Sequence, residues 1–107
     1  MTDELKSLIE DAAKLLGYSQ CTNPEDGYYS KSRWGLFQFN PLDPERGDLM
    51  KVAEAARCSI RFGKAEVTLA ELDGGYVCFP FVKGDHESLA IAILRAASAV
   101  YKSRGGV

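Results

Sequence analysis

Residues 76–82 read Tyr-Val-Cys-Phe-Pro-Phe-Val, and this run decides how the chain is layered. A strand with one face in water alternates apolar and polar side chains, because successive side chains point to opposite faces. Here Tyr76, Cys78, Pro80 and Val82 share one parity and Val77, Phe79 and Phe81 the other, and neither set carries a charge. The expectation is a sheet shielded on both sides near this strand. Pro80 stands in tension with that, since it lacks the N–H a ladder needs and suits an edge or a strand end.

Working outward, Cys58, Ile60 and Phe62 alternate with Ser59 and Arg61, and Ala65, Val67 and Leu69 alternate with Glu66 and Thr68. Gly63-Lys64 fits a two-residue type II′ hairpin, and Asp73-Gly74 is the strongest local hairpin signal, so 58–82 reads as a three-strand meander. Downstream, Asp85 suits an N-cap, with Glu87 near the positive end of the helix dipole. Leu89, Ile93, Ala96, Ala97, Val100 and Tyr101 form the main face of a helix over 86–102, and Ala90, Ile91, Ala92 and Leu94 widen that face beyond a stripe. Such a helix is expected to be the most buried in the chain, or to supply an oligomer contact. Upstream, Leu5, Leu8, Ile9, Ala12, Leu15 and Leu16 make one continuous face of a first helix that ends at Gly17. A second helix is expected over 44–57, with Asp43 as N-cap, Pro44 at its first position and Leu49, Val52, Ala53 and Ala56 as its stripe. Residues 18–33 show no period and read as a long connection. Residues 34–39 read as a short strand pairing with the earlier part of 76–82. The architecture expected is a single α+β domain over 1–107: an antiparallel sheet of three to four strands with helices on both faces, an α-β-α sandwich.

Bulk composition bounds the function. A chain of 107 residues holds one core. With 46% apolar residues it has enough to bury, which argues against wholesale disorder. Thirteen Lys+Arg against 15 Asp+Glu leave a formal charge of −2, which removes the strongly basic field of a general duplex-DNA binder. The longest apolar run, Leu89 to Leu94, falls far short of the roughly 18 residues that span a bilayer, so no membrane association is expected. The opening residues carry acids early, without the basic-then-apolar order of a secretion signal. Cys21, Cys58 and Cys78 are widely spaced with no C-x-x-C pair. They read as free thiols in a reducing, cytoplasmic compartment.

Candidate chemistry is thin. A zinc site would have to use all three cysteines and His86, the one histidine, and nothing in the spacing favours it. A Cys/His nucleophile pair would also need His86, which is expected exposed at a helix start, while Cys78 sits in an apolar strand where thiols are inert. The paired acids Glu10-Asp11, Glu25-Asp26, Asp43 with Glu45, and Asp85 with Glu87 each have a local explanation as helix surface, turn or cap. Arg46-Gly47-Asp48 falls in the first turn of a helix, a poor setting for an adhesion motif. Gly74-Gly75 precedes a strand, not a helix, so it is no phosphate loop. No catalytic residue, metal or cofactor is expected, and the chain is not read as an enzyme.

The segment Tyr28, Tyr29, Lys31, Arg33 and Trp34 is the one candidate binding surface. Aromatics interleaved with cations suit single-stranded nucleic acid, offering rings for stacking and charges for phosphate. The same residue types anchor protein interfaces. The third reading is plain: Trp34 and one Tyr fill the core beneath a loop.

Phe39-Asn40-Pro41, the acidic Asp43, Gly75-Tyr76-Val77-Cys78-Phe79 and the Ala-rich run Leu89 to Val100 together resemble the phage ABA sandwich domain family. The opening helix that ends in Gly17-Tyr18 looks like that family's start, and the resemblance covers most of the chain. It implies helices on both faces of a sheet and a phage or prophage protein of unknown function in a bacterial host cell. It implies no functional residues. The expectation is thus a small phage-type accessory protein that acts by binding, as a homo-oligomer or on another protein partner. The alternative is a single-stranded nucleic-acid binder using 28–34.

Overall fold

The expected first stripe winds helix α1, Asp3–Leu15, in the computed structural model, which describes residues 3–21, 27–32, 35–43, 47–72 and 75–103. Ala12 and Ala13 are fully buried on it. The helix stops where Gly17 turns left-handed at φ +79°. Gly17 N–H then donates to Lys14 C=O at 3.0 Å and Tyr18 N–H to Ala13 C=O at 2.9 Å, closing two of the carbonyls a helix end leaves open.

The connection after α1 is not structureless. Strands β1 (Ser19–Gln20), β2 (Tyr28–Ser32) and β3 (Gly35–Gln38) form an antiparallel sheet in that order. A strand does form within 34–39, but its partner is β2, with Tyr29 opposite Gln38 and Ser32 opposite Gly35, and not the run 76–82. A partner a few residues away costs far less loop entropy than one 40 residues on. The polar Ser-Lys-Ser content of β2 hid it from a hydrophobic pattern. Phe39 N–H donates to Tyr28 C=O at 2.7 Å, and the Phe39 ring meets Tyr18 edge-on at 5.4 Å between centroids.

Helix α2 spans Asp48–Ala56 and so starts later than expected. Asp48 is buried, and its Oδ2 accepts the Asn40 N–H at 2.9 Å, tying the helix start to the segment that leaves β3. Asp43 therefore lies ahead of the helix rather than capping it, and Pro44 lies outside the described residues. The stripe Leu49, Val52, Ala53 and Ala56 is buried as expected. The end of α2 repeats the α1 ending without a glycine: Arg57 takes φ 55°, ψ 38°, Arg57 N–H donates to Glu54 C=O and Cys58 N–H to Ala53 C=O.

The meander is present as β4 (Ser59–Arg61), β5 (Glu66–Leu72) and β6 (Gly75–Pro80), antiparallel and in that order. Arg61 pairs with Glu66, the register of the expected two-residue hairpin. The turn conformation differs. Residues Phe62–Lys64 make a 3₁₀ turn and Ala65 follows at φ 53°. A right-handed turn alone would splay the strands, and a left-handed residue after it restores their twist. Phe62, expected on the apolar face of its strand, is instead 64% exposed.

The tension over Pro80 resolves at the edge. Phe81 N–H donates to Ala65 C=O at 2.9 Å. Ladder alternation then turns the backbone of Val77 and Phe79 toward β5 and that of Cys78 and Pro80 outward, so the missing N–H faces the open side of an edge strand. The expectation of two shielded faces is corrected by the same alternation. Val67 and Leu69 are buried on the face that meets the helices, whereas Ser59, Arg61, Cys78 and Pro80 are exposed on the other, with only Thr68 buried among them. Uncharged side chains on both parities had suggested cover, yet Cys and Pro tolerate water where no helix lies over them.

Helix α3, His86–Ser103, joins the parts. Asp85 caps it as expected, its Oδ1 accepting the Glu87 N–H at 3.1 Å and the Ser88 N–H at 3.4 Å. Ala90, Ala92, Ile93, Leu94, Ala96, Ala97 and Val100 are all buried, by α1, α2, β5 and β6 together. The width that had suggested an oligomer contact is therefore filled within the chain. Ser98, also buried, donates its hydroxyl to Asp11 Oδ2 at 2.6 Å across the α1–α3 contact. The fold is α+β, with two antiparallel three-strand sheets and helices packed against the β4–β6 sheet. No helix among the described residues is long and apolar enough to cross a membrane.

Two stability outcomes follow. Ile93→Ala, emptying a fully buried site, is expected to lower the unfolding free energy by about 3 kcal/mol. Arg57→Gly, relieving a side chain held left-handed, is expected to raise it by roughly 1 kcal/mol. Urea unfolding curves measure both, and a destabilised Arg57→Gly chain would refute the account of that helix end.

Candidate docking groove

Two turns and one helix start converge on the apolar side chains that the core leaves over. The 3₁₀ turn lifts Phe62 off the sheet. Phe81, just past β6, is buried and meets the Phe62 ring edge-on, 6.2 Å between centroids at 79°. Val82 is fixed from both sides of its peptide: its N–H donates to Ser88 Oγ at 2.8 Å and its C=O accepts from Asp85 N–H at 3.1 Å. Gly84 permits that tight return with φ +81°. The chain then enters α3, whose Leu89 faces the same space. Phe62, Phe81, Val82, Lys83, Gly84, Asp85, His86 and Leu89 line an open groove of about 440 Å³. Among the described residues the large exposed hydrophobics are Met50, Phe62 and Val82, so two of them border this one groove. Val82 is 63% exposed even though its backbone is pinned, which makes it a preformed rather than a collapsing wall.

His86 does not take the exposed position expected at the helix start. It is half-buried in the groove wall, and its Nε2 is buried without a hydrogen-bond partner among the described residues. No cysteine lines the groove. Cys58 is half-buried beside α2, where burial pushes its thiol pKa up and its Sγ donates to Ala53 C=O at 3.6 Å. Cys21 is half-buried and Cys78 exposed, and all three are free thiols. No group of three or more His, Cys, Asp or Glu among the described residues could hold a metal, so the weighed zinc set does not assemble. The acids keep their local roles: Asp85 caps α3, Asp48 holds Asn40, and Glu10 sits 2.9 Å from Lys14 one helical turn on. Arg46 of the Arg-Gly-Asp run lies outside the described residues, and its Asp48 is buried.

The segment singled out from sequence divides. Tyr28 takes the core-packing reading, 8% exposed against α1. Burial raises its phenol pKa, and the neighbouring Glu10 carboxylate adds to that; Glu10 itself is held low chiefly by its hydrogen bond with Lys14. Tyr29 and Lys31 lie on β2, while Arg33 and Trp34 fall outside the described residues. Tyr28 therefore offers no free ring for stacking. The pattern missed Phe62 and Val82 because each continues the parity of a strand. The signal that could have flagged them is position: Phe62 abuts Gly63, and Val82 stands two residues before Gly84.

Tyr28→Ala is expected to cost about 3 kcal/mol of stability, as for any large buried aromatic, and a change of a few tenths would return Tyr28 to the surface. With a thiol reagent at neutral pH, Cys78 should label first. Cys58 should lag and speed up only as pH rises toward its raised pKa, because the thiolate is the reacting form; equal rates would contradict its burial. Against family models, curated proteins and solved structures, the chain finds no match.

Proposed function

We propose that this chain is a small, non-catalytic, phage-type accessory protein that works by holding a segment of a protein partner in the groove between the 62–65 turn and the start of α3. The observation that carries this reading is the pairing of Phe62 and Val82, each more than 60% exposed, across a wall already pinned by Ser88 and Asp85. Exposed aromatic and aliphatic anchors around a preformed apolar cleft are the usual source of binding energy at protein interfaces. The polar groups of the groove support binding over catalysis. Asp85 Oδ1 is engaged with two helix N–H groups, and the lining holds no cysteine, serine or threonine beside His86. The resemblance of 39–41, 75–79 and 89–100 to the phage ABA sandwich family supports the accessory role.

A yeast-displayed library of random 15-residue segments tests the reading. Wild-type protein should enrich binders, and Phe62→Glu and Val82→Asp should each weaken them about tenfold or more, the loss of one anchor's worth of contact. Both sites are exposed, so the unfolding curves should stay unchanged. Retention of the binders by both variants, or no enrichment at all, would sink the proposal. Self-association in a sedimentation series that Phe62→Glu abolishes would assign the groove to a second copy of the chain. Salt-dependent binding of a labelled oligonucleotide, untouched by either variant, would favour the nucleic-acid alternative.

A further inference from the structure

The kind of segment that fits can be argued from the charges at the groove. From them we infer that the partner is acidic: an apolar anchor flanked by carboxylates, entering past Lys64 and Lys83. This rests on the groove being the docking site. Lys64 is exposed on the turn that carries Phe62, and Lys83 is exposed in the lining itself, next to Val82. Neither has an ion-pair or hydrogen-bond partner among the described residues. The other charges nearby stand beside opposite ones or helix amides. Arg61 lies directly across the β4–β5 ladder from Glu66, a cross-strand position where opposite charges attract. Asp85 Oδ1 is bound by two N–H groups, and Glu87 follows it in the first turn of α3, where the free amide ends offset carboxylate charge. Of these cations, those that stand without a partner among the described residues are Lys83 in the lining and Lys64 on the turn that carries Phe62, on a chain whose net charge is −2.

Carboxylates placed there would complete both cations, while a basic flank would meet like charge at the rim. The buried and unpartnered Nε2 of His86 adds one further polar group within the same wall. Rim charges of this sort select partners and speed encounter more than they deepen affinity, so the expected signature is a sequence bias and a salt dependence.

The same displayed library reads it out. Binders enriched on wild-type protein should carry a large aliphatic or aromatic residue within a net-negative flank. Synthetic peptides of those sequences should bind about tenfold more weakly in 0.5 M than in 0.05 M salt. Selection on Lys64→Glu/Lys83→Glu, whose fold should be intact because both residues are exposed, should shift the flanks to net-positive. Binders that need Phe62 yet show neutral or basic flanks, or the same flanks on wild-type and charge-reversed protein, would overturn the acidic partner while leaving the docking groove standing. An absence of Phe62-dependent binders would remove both.

Discussion

Helix α3 is shared by α1, α2 and the β5–β6 pair, and that sharing constrains the main core. Ile93 and Leu94 are adjacent in sequence and both lie at 0% exposure, so neighbours must close around the helix from different directions. α1, α2 and the β5–β6 pair do so. Four alanines on the same helix, Ala90, Ala92, Ala96 and Ala97, let those elements approach closely. Its exposed residues are the charged Glu87, Arg95 and Lys102 and the terminal Ser103. At its N-terminal end the cap and the preceding turn hold side chains in place without burying them.

The joints are built from backbone hydrogen bonds more than from side-chain pairs. α1 and α2 end with the same two crossed N–H···O=C bonds, one around a glycine and one around Arg57. The start of α2 is held by a buried Asp48 reaching Asn40, and the start of α3 by Asp85 on its own amides with Ser88 reaching back to Val82. The last of these also shapes the groove. The bond that satisfies Val82 N–H stops its peptide from folding inward, so the apolar side chain stays at the rim. The same contact thus stabilises the start of α3 and borders the groove.

The second sheet has a different logic. β1–β3 pair locally, and among the described side chains Tyr28 on β2, with Phe39 and the fully buried Pro41 just after β3, reaches the core. The Asn40-Pro41 step is thereby a structural hinge pin between β3 and α2.

Periodicity alone located the three helices, the meander, the Asp85 cap and the Gly17 stop, because caps, turns and amphipathic stripes are set by interactions within a few residues. It marked α3 as either the most buried helix or an oligomer contact, since a face too wide for one neighbour needs several, and packing within the chain accounts for the buried part of that width. It did not yield the β2–β3 pairing, the late start of α2 at Asp48, the bare outer face of β6 or the groove. Each of those depends on which distant group comes to lie alongside: Asn40 against Asp48, Phe81 against Phe62, and no described helix over Cys78 and Pro80. Whether an apolar residue such as Phe62 or Val82 ends inside or outside is decided by how turns are rotated when the layers close. That rotation is a property of the packed whole, and no local pattern encodes it.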